Sequence, residues 1–203
     1  MNKIALLAVM MFGFTSATFA MDMPKVEYSA DSSMETEQST MNSHINYAPG
    51  KGRQEMDMHG KKQIVITRQD KKVAWMLMPE QKMYMESPMN SSDSAQSGDL
   101  SNAKVESTEV GSETVNGIAT KKYKVIVTTD KGKMGGFIWK TADGIAVKAD
   151  LIAMAKGSKM RMKTELTNLK VGHQDPKLFE IPSGYAPMNM GAMMGGAMMG
   201  RHR

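Results

Sequence analysis

The stretch MRMKTEL (160–166) sets Met160, Met162, Thr164 and Leu166 against Arg161, Lys163 and Glu165. A period of two with charge on one side predicts a half-buried antiparallel strand. IAVKADL (145–151) follows the same rule, with Ile145, Val147, Ala149 and Leu151 opposite Lys148 and Asp150. KKYKVIVTT (121–129) puts Tyr123, Val125 and Val127 on one side. QIVITR (63–68), VAWMLM (73–78), KMYME (82–86) and GFIWK (136–140) extend the series. From Val26 to Val171 the chain reads as strand after strand.

The connectors are short and carry turn chemistry. Asn116-Gly117 suits a type I′ hairpin, whose two central residues take positive φ. Pro49-Gly50, Gln69-Asp70, Asp130-Lys131-Gly132, Asp143-Gly144 and Lys156-Gly157-Ser158 punctuate the rest. The Ser-rich stretch 90–103 departs from this pattern and reads as a loop or a short capped helix. About nine to eleven consecutive antiparallel strands do not stay flat and open. The expected fold is therefore mainly β, with little helix: a curved antiparallel meander forming a half-barrel. Aromatic content is 6%, too low for the aromatic girdles of a membrane barrel.

The two ends read differently. Lys3, the apolar run 4–14 and the small residues Thr18 and Ala20 predict a secretory signal peptide over 1–20. The run is shorter than the ~20 residues that span a bilayer, and no later segment is longer. The expected product is a soluble, exported, periplasmic protein with no transmembrane segment, its β domain covering 21–186. Residues 187–203, with the pentad GAMMG twice in succession, lack periodicity and are rich in glycine. They are expected to be a flexible Met/Gly-rich tail. Lys and Arg outnumber Asp and Glu by 26 to 21. That excess is dispersed, with no basic stripe of the kind nucleic-acid binding needs. There is no cysteine, so neither a disulfide framework nor a thiolate site is available.

Against that background, three stretches carry a family resemblance. "NYAPGKGRQEMDMHGKKQIVITRQDKKVAWMLMPEQKMY" (46–84) resembles the front half of LolA-like periplasmic lipoprotein carriers through Pro49, Gly50, Arg53, Ile64, Asp70, Trp75 and Tyr84. "GSETVNGIATKKYKVIVTTDKGKMGGFIWKTADGIAVKADL" (111–151) is similar to the second half of that fold. "DPKLFEIPSGY" (175–185) resembles the closing segment of an uncharacterised exported branch. The resemblance spans roughly residues 26–186. It implies a LolA-like half-barrel with a hydrophobic concavity that holds a lipid or a lipoprotein acyl chain. No amphipathic helix is legible at the N-terminus, where those carriers lay one across the hollow.

The candidate chemistry is methionine. There are 24 methionines, several in Met-x-Met pairs: Met56/Met58, Met76/Met78, Met83/Met85 and Met160/Met162. On a strand such partners share a face, about 6.5–7 Å apart. Three readings stay open: core filler, a pliable cavity wall, or thioether ligands for a soft ion such as Cu(I) or Ag(I). The candidate ligand cavity is Trp75, Met76, Met78, Met83, Met85, Phe137, Trp139, Met160 and Met162. In the tail, Met188, Met190, Met193, Met194, Met198, Met199 and His202 form a candidate Cu(I)/Ag(I) site. A low-complexity extension or a sacrificial sink for oxidants fits the tail as well. His44, His59, His173 and His202 show no paired metal-ligand spacing, and no phosphate-binding glycine loop precedes a helix. The expected function is non-enzymatic binding of a hydrophobic ligand, with soft-metal binding as the alternative and no cofactor otherwise.

Overall fold

The computed structural model describes residues 23–58, 60–89, 104–129, 132–155 and 158–188. The signal-peptide expectation, the 90–103 stretch and all of the tail beyond Met188 lie outside the described residues. Eleven strands run in chain order: β1 (Tyr28–Thr36), β2 (Thr40–Ala48), β3 (Lys51–Met58), β4 (Lys61–Arg68), β5 (Val73–Met78), β6 (Met83–Pro88), β7 (Lys104–Val115), β8 (Ile118–Thr129), β9 (Gly132–Lys140), β10 (Ala146–Ala155) and β11 (Ser158–Val171). A 3-10 helix (Pro176–Phe179) and a two-residue strand β12 (Ala186–Pro187) follow.

All strands belong to one sheet, ordered β12-β6-β5-β4-β3-β2-β1-β11-β10-β9-β8-β7. Two meanders, β1 to β6 and β7 to β11, meet in the antiparallel β1–β11 ladder. The sheet is curved and its ends stay apart, which makes an open half-barrel, as expected. Turn chemistry accounts for the hairpins. Asn116 and Gly117 take φ of 50° and 79°, the type I′ geometry that matches the twist of the flanking strands. The Asn116 side-chain amide donates to the Leu166 carbonyl (3.0 Å) and to Glu165 (2.9 Å). The tip of the β7–β8 hairpin thus reaches β11. At Gly136 the chain has φ +156°, and a Cβ there would meet the Asp150 carbonyl oxygen at 2.0 Å. Only glycine allows β9 to lie against β10 at this point.

Ladder partners share a face, so the register sorts the side chains. One face carries Tyr28, Ala30, Ile45, Val125, Val127, Ile138, Leu151, Met162 and Leu166, all buried. The alternations read in 160–166, 145–151 and 121–129 hold in the structure. The opposite face is charged across the sheet's centre, with Asp31, Glu35, His44, Glu55, Asp150, Arg161, Lys163 and Glu165.

Part of that face is apolar. Ala48, Ile64, Ile66, Trp75 and Leu77 form a cluster there with Phe179, which is 1% exposed. The chain leaves β11, crosses this face and pairs in parallel with β6 at the sheet edge, Ala186 beside Met83 and Pro187 beside Tyr84. Asp175 caps the 3-10 helix by accepting from the Lys177 amide (2.9 Å). Two arginines staple the crossing. Arg53 donates to the Leu178 carbonyl (3.0 Å) and to Glu55 (2.8 Å). Buried Arg68 donates to the Phe179 carbonyl (3.1 Å), to both oxygens of Asp70 (2.8 and 2.6 Å) and to Glu180.

Candidate functional site

Each Met-x-Met pair sits on a strand, so its two side chains share a face. The ladders then decide whether the four pairs share the same face, and they do. Met76 lies opposite Met85, and Met78 opposite Met83. Met56 and Met58 of β3 face Gln63 and Lys61 of β4, and Val65 of β4 faces Met76. Met162 lies between Thr36 and Leu151, and Met160 beside Ala153. Three methionines not singled out in the sequence join them. Met34 and Met41 oppose one another on β1 and β2, and Met134 sits between Ala153 and Val127. Among the described strand residues, eleven thioethers therefore line one face, spread over seven strands. From β6 to β10 in sheet order, Lys61 is the one charged side chain on this face among the described strand residues.

Met56 and Met162 are buried, and the other nine are half-buried. Toward one end, Tyr28, Ala30, Ile45 and Leu166 of this face are buried in a core cluster with Val115, Trp139, Ile145 and Val147. The C-terminal crossing and the 3-10 helix lie on the other face. The surface is apolar, flexible and polarizable, and its thioethers titrate nowhere.

Of the expected cavity residues, Met76, Met78, Met83, Met85, Met160 and Met162 are brought to this face. Trp75 and Phe137 are not, and Trp139, whose ladder partners lie on the charged side, packs into the core cluster with Tyr28, Ala30, Ile45 and Leu166. Neighbours in a strand point to opposite faces, so Trp75 cannot share a surface with Met76. Trp139 pairs with Lys148 and Lys122 on the charged side, and Phe137 with Asp150 and Lys124. Both tryptophans have polar anchors there. The Trp75 indole donates to Glu86 (2.8 Å) beneath Lys71, and the Trp139 indole to Glu113 (2.7 Å) beneath Lys122 and Lys148. Hydrogen bonds from Lys122 and Trp139 hold the Glu113 carboxyl below its usual range. These are structural pairs of ring, cation and carboxylate. Parity along each strand was the available signal, and it separates the aromatics from the methionines.

The charged face carries an open depression of about 440 Å³ lined by Asp31, Ser33, Asn42, His44, Glu55, Asp57 and Lys62, among others. Its groups largely satisfy one another. His44 meets Asp31 at 2.7 Å, Asn168 donates to Asp31 at 2.7 Å, and Lys62 meets Glu55 at 2.5 Å. Those Asn168 and His44 hydrogen bonds hold Asp31 below the usual carboxylate range. Among the described residues no cluster of three or more His, Cys, Asp or Glu could hold a metal ion. Of the candidate tail site, Met188 alone is described. Met190, Met193, Met194, Met198, Met199, His202, and also His59, lie outside the described residues.

A curved, open antiparallel sheet is a half-barrel, the architecture that the resemblance read in 46–84 and 111–151 implies. The chain itself belongs to the DUF4412 family, a domain of unknown function matched over residues 31–143. No curated protein matches it. Among solved structures it is similar to an uncharacterised conserved protein of Thermus thermophilus, at 12% identity and a TM-score of 0.55, over 81% of this chain and 90% of that one. It is also similar to MucB in the MucA/MucB complex of Pseudomonas aeruginosa, at 15% identity and a TM-score of 0.47, over 79% of this chain and 57% of that one. A candidate outer membrane lipoprotein-sorting domain of Vibrio parahaemolyticus is a third, at 14% identity and a TM-score of 0.35, over 78% and 92%. The first of these likenesses bears on fold alone. No helix among the described residues is long and apolar enough to cross a membrane.

Proposed function

We propose that this chain is an exported periplasmic binding protein, not an enzyme, that holds a hydrophobic ligand in the hollow of its half-barrel. The ligand is a lipid or a lipoprotein acyl chain. The observation that supports this is the gathering of eleven methionines on one face, half-buried for the most part. Methionine has three rotatable bonds and no branching, so a wall built from it reshapes around chains of different length and kink. Each methylene taken out of water on such a wall contributes about 0.8 kcal/mol. An acyl segment of about ten methylenes thus gathers roughly 8 kcal/mol before the costs of association are subtracted. Directional polar groups are not needed for that chemistry.

The test is native mass spectrometry of protein purified from the periplasm, together with titration of an apolar fluorescent probe. Lipid adducts and saturable probe binding are expected. Met76→Glu and Met78→Glu should each weaken probe binding, because a carboxylate on this face must be desolvated as the ligand arrives. A domain that carries no lipid and binds no probe would sink the reading.

A further inference from the structure

The methionines are densest at one edge of the sheet. On β5 and β6, Met76 lies directly opposite Met85, and Met78 directly opposite Met83. Opposed Cβ atoms in an antiparallel pair are about 4.5–5.5 Å apart, and i, i+2 neighbours about 6.5–7 Å. The four side chains form a compact rectangle whose long, flexible thioethers can converge on a point. A fifth is added from the C-terminus. The ladder of β12 with β6 sets Ala186 beside Met83 and Pro187 beside Tyr84. The amides of Ala186 and Met188 then donate to the carbonyls of Lys82 (2.9 Å) and Tyr84 (2.7 Å). The same register brings Met188 level with Met85, on the methionine face, one strand spacing of about 4.8 Å away.

These five residues are not part of the described core. The cluster at this end of the sheet uses the intervening residues, Trp75, Leu77, Tyr84 and Tyr185, on the opposite face. Met76, Met78, Met83, Met85 and Met188 are all half-buried. No carboxylate or imidazole shares their face on β3 to β6, so hard divalent ions find no anionic ligand. A donor set of neutral thioethers alone selects a soft monovalent ion.

We propose that Met76, Met78, Met83, Met85 and Met188 form a thioether site for Cu(I) or Ag(I) at the β5–β6 edge, closed by the β12 clamp. It does not depend on the acyl-chain reading, because binding a soft ion needs sulfur whereas binding a lipid needs only apolar surface. Since thioethers carry no proton to lose, affinity should stay level across mildly acidic pH.

The experiment is titration of the full-length protein with Ag(I), and with Cu(I) in competition with a chromophoric chelator. Stoichiometry is read by native mass spectrometry. The replacement Met76→Leu/Met78→Leu/Met83→Leu/Met85→Leu keeps volume and apolarity but removes four sulfurs. Loss of one bound ion per chain, with the thermal midpoint retained, is the expected result. A control, Met134→Leu/Met160→Leu, lies on distant strands and should retain that ion. Should the fourfold variant fail to fold, Met76→Leu/Met85→Leu alone must still weaken binding. Unchanged stoichiometry and affinity in a folded variant overturns the site, as does equal loss in the control.

Discussion

Replacing Phe179 by Ala tests whether the C-terminal crossing is part of the fold or merely laid upon it. The ring is 1% exposed and sits against Ile64, Ile66, Trp75 and Leu77. Losing its transfer free energy costs about 1.5–3 kcal/mol. The void adds to this: about 100 Å³ of missing ring at ~24 cal/mol per Å³ contributes roughly another 2 kcal/mol where the site cannot collapse. Collapse is restricted here, because Arg53 and Arg68 grip the carbonyls of Leu178 and Phe179 at 3.0 and 3.1 Å. The expected loss is therefore about 4 kcal/mol, near the middle of the range for Phe→Ala in cores. Urea unfolding followed by tryptophan emission suits the measurement, since Trp75 lies in the same cluster. The midpoint should fall with an unchanged slope, and the melting temperature should drop by about 10 °C. A loss below about 1 kcal/mol would refute the reasoning and leave the crossing as a dispensable strap.

Two further outcomes follow from the same geometry. Leu166→Asp buries an unpaired charge at a 3% exposed position and should cost several kcal/mol. Lys163→Asp, on the exposed face, should stay within about 1 kcal/mol in urea melts, and equal effects would mean that the face assignment is wrong. Hydrogen bonding from Arg68 lowers Asp70 from 3.8 to about 2. Burial pushes Glu180 upward, but hydrogen bonds from Lys71 and Arg68 outweigh it and hold the carboxyl below its ordinary value. A carboxylate lowered by folding stabilises above its unfolded pKa, and that contribution is lost as pH falls from 3.8 through about 2. Asp70→Asn should therefore flatten the stability profile in that acid window and leave its neutral slope alone. Both carboxylates are about half exposed, so the amplitude should be no more than about 1 kcal/mol. A profile identical to that of the unaltered protein would show the ion pair to be idle.

Strands such as 160–166 were legible because each outward position carries a full charge, which makes parity unambiguous. Residues 28–48 were not so legible. Ser and Thr occupy both faces of β1 and β2, so the opposition of Met34 and Met41 emerges only from the β1–β2 register. The grouping of Trp75 and Phe137 with the methionines followed shared apolarity, and the pleat overruled it. The arginine staple was invisible for a different reason. Arg68 and Phe179 are 111 residues apart, and no local pattern reports that a guanidinium will meet a distant carbonyl. The edge position of the densest methionine cluster depends likewise on sheet order, a property of the whole chain.

The join between the two meanders has a kinetic meaning. Within each meander every strand pairs with its neighbour in sequence, so hairpins can form as soon as their residues are available. The β1–β11 ladder is different, because Tyr28 must find Val171. Closing so long a loop costs only slightly more than closing a shorter one, but it cannot begin before β11 exists. Until then β1 and β10 are both open edges beside apolar surface, the condition under which unfolded chains associate wrongly. Folding of this half-barrel is thus gated by its last long strand, and a chain truncated before Ser158 should populate two sticky fragments rather than one smaller domain.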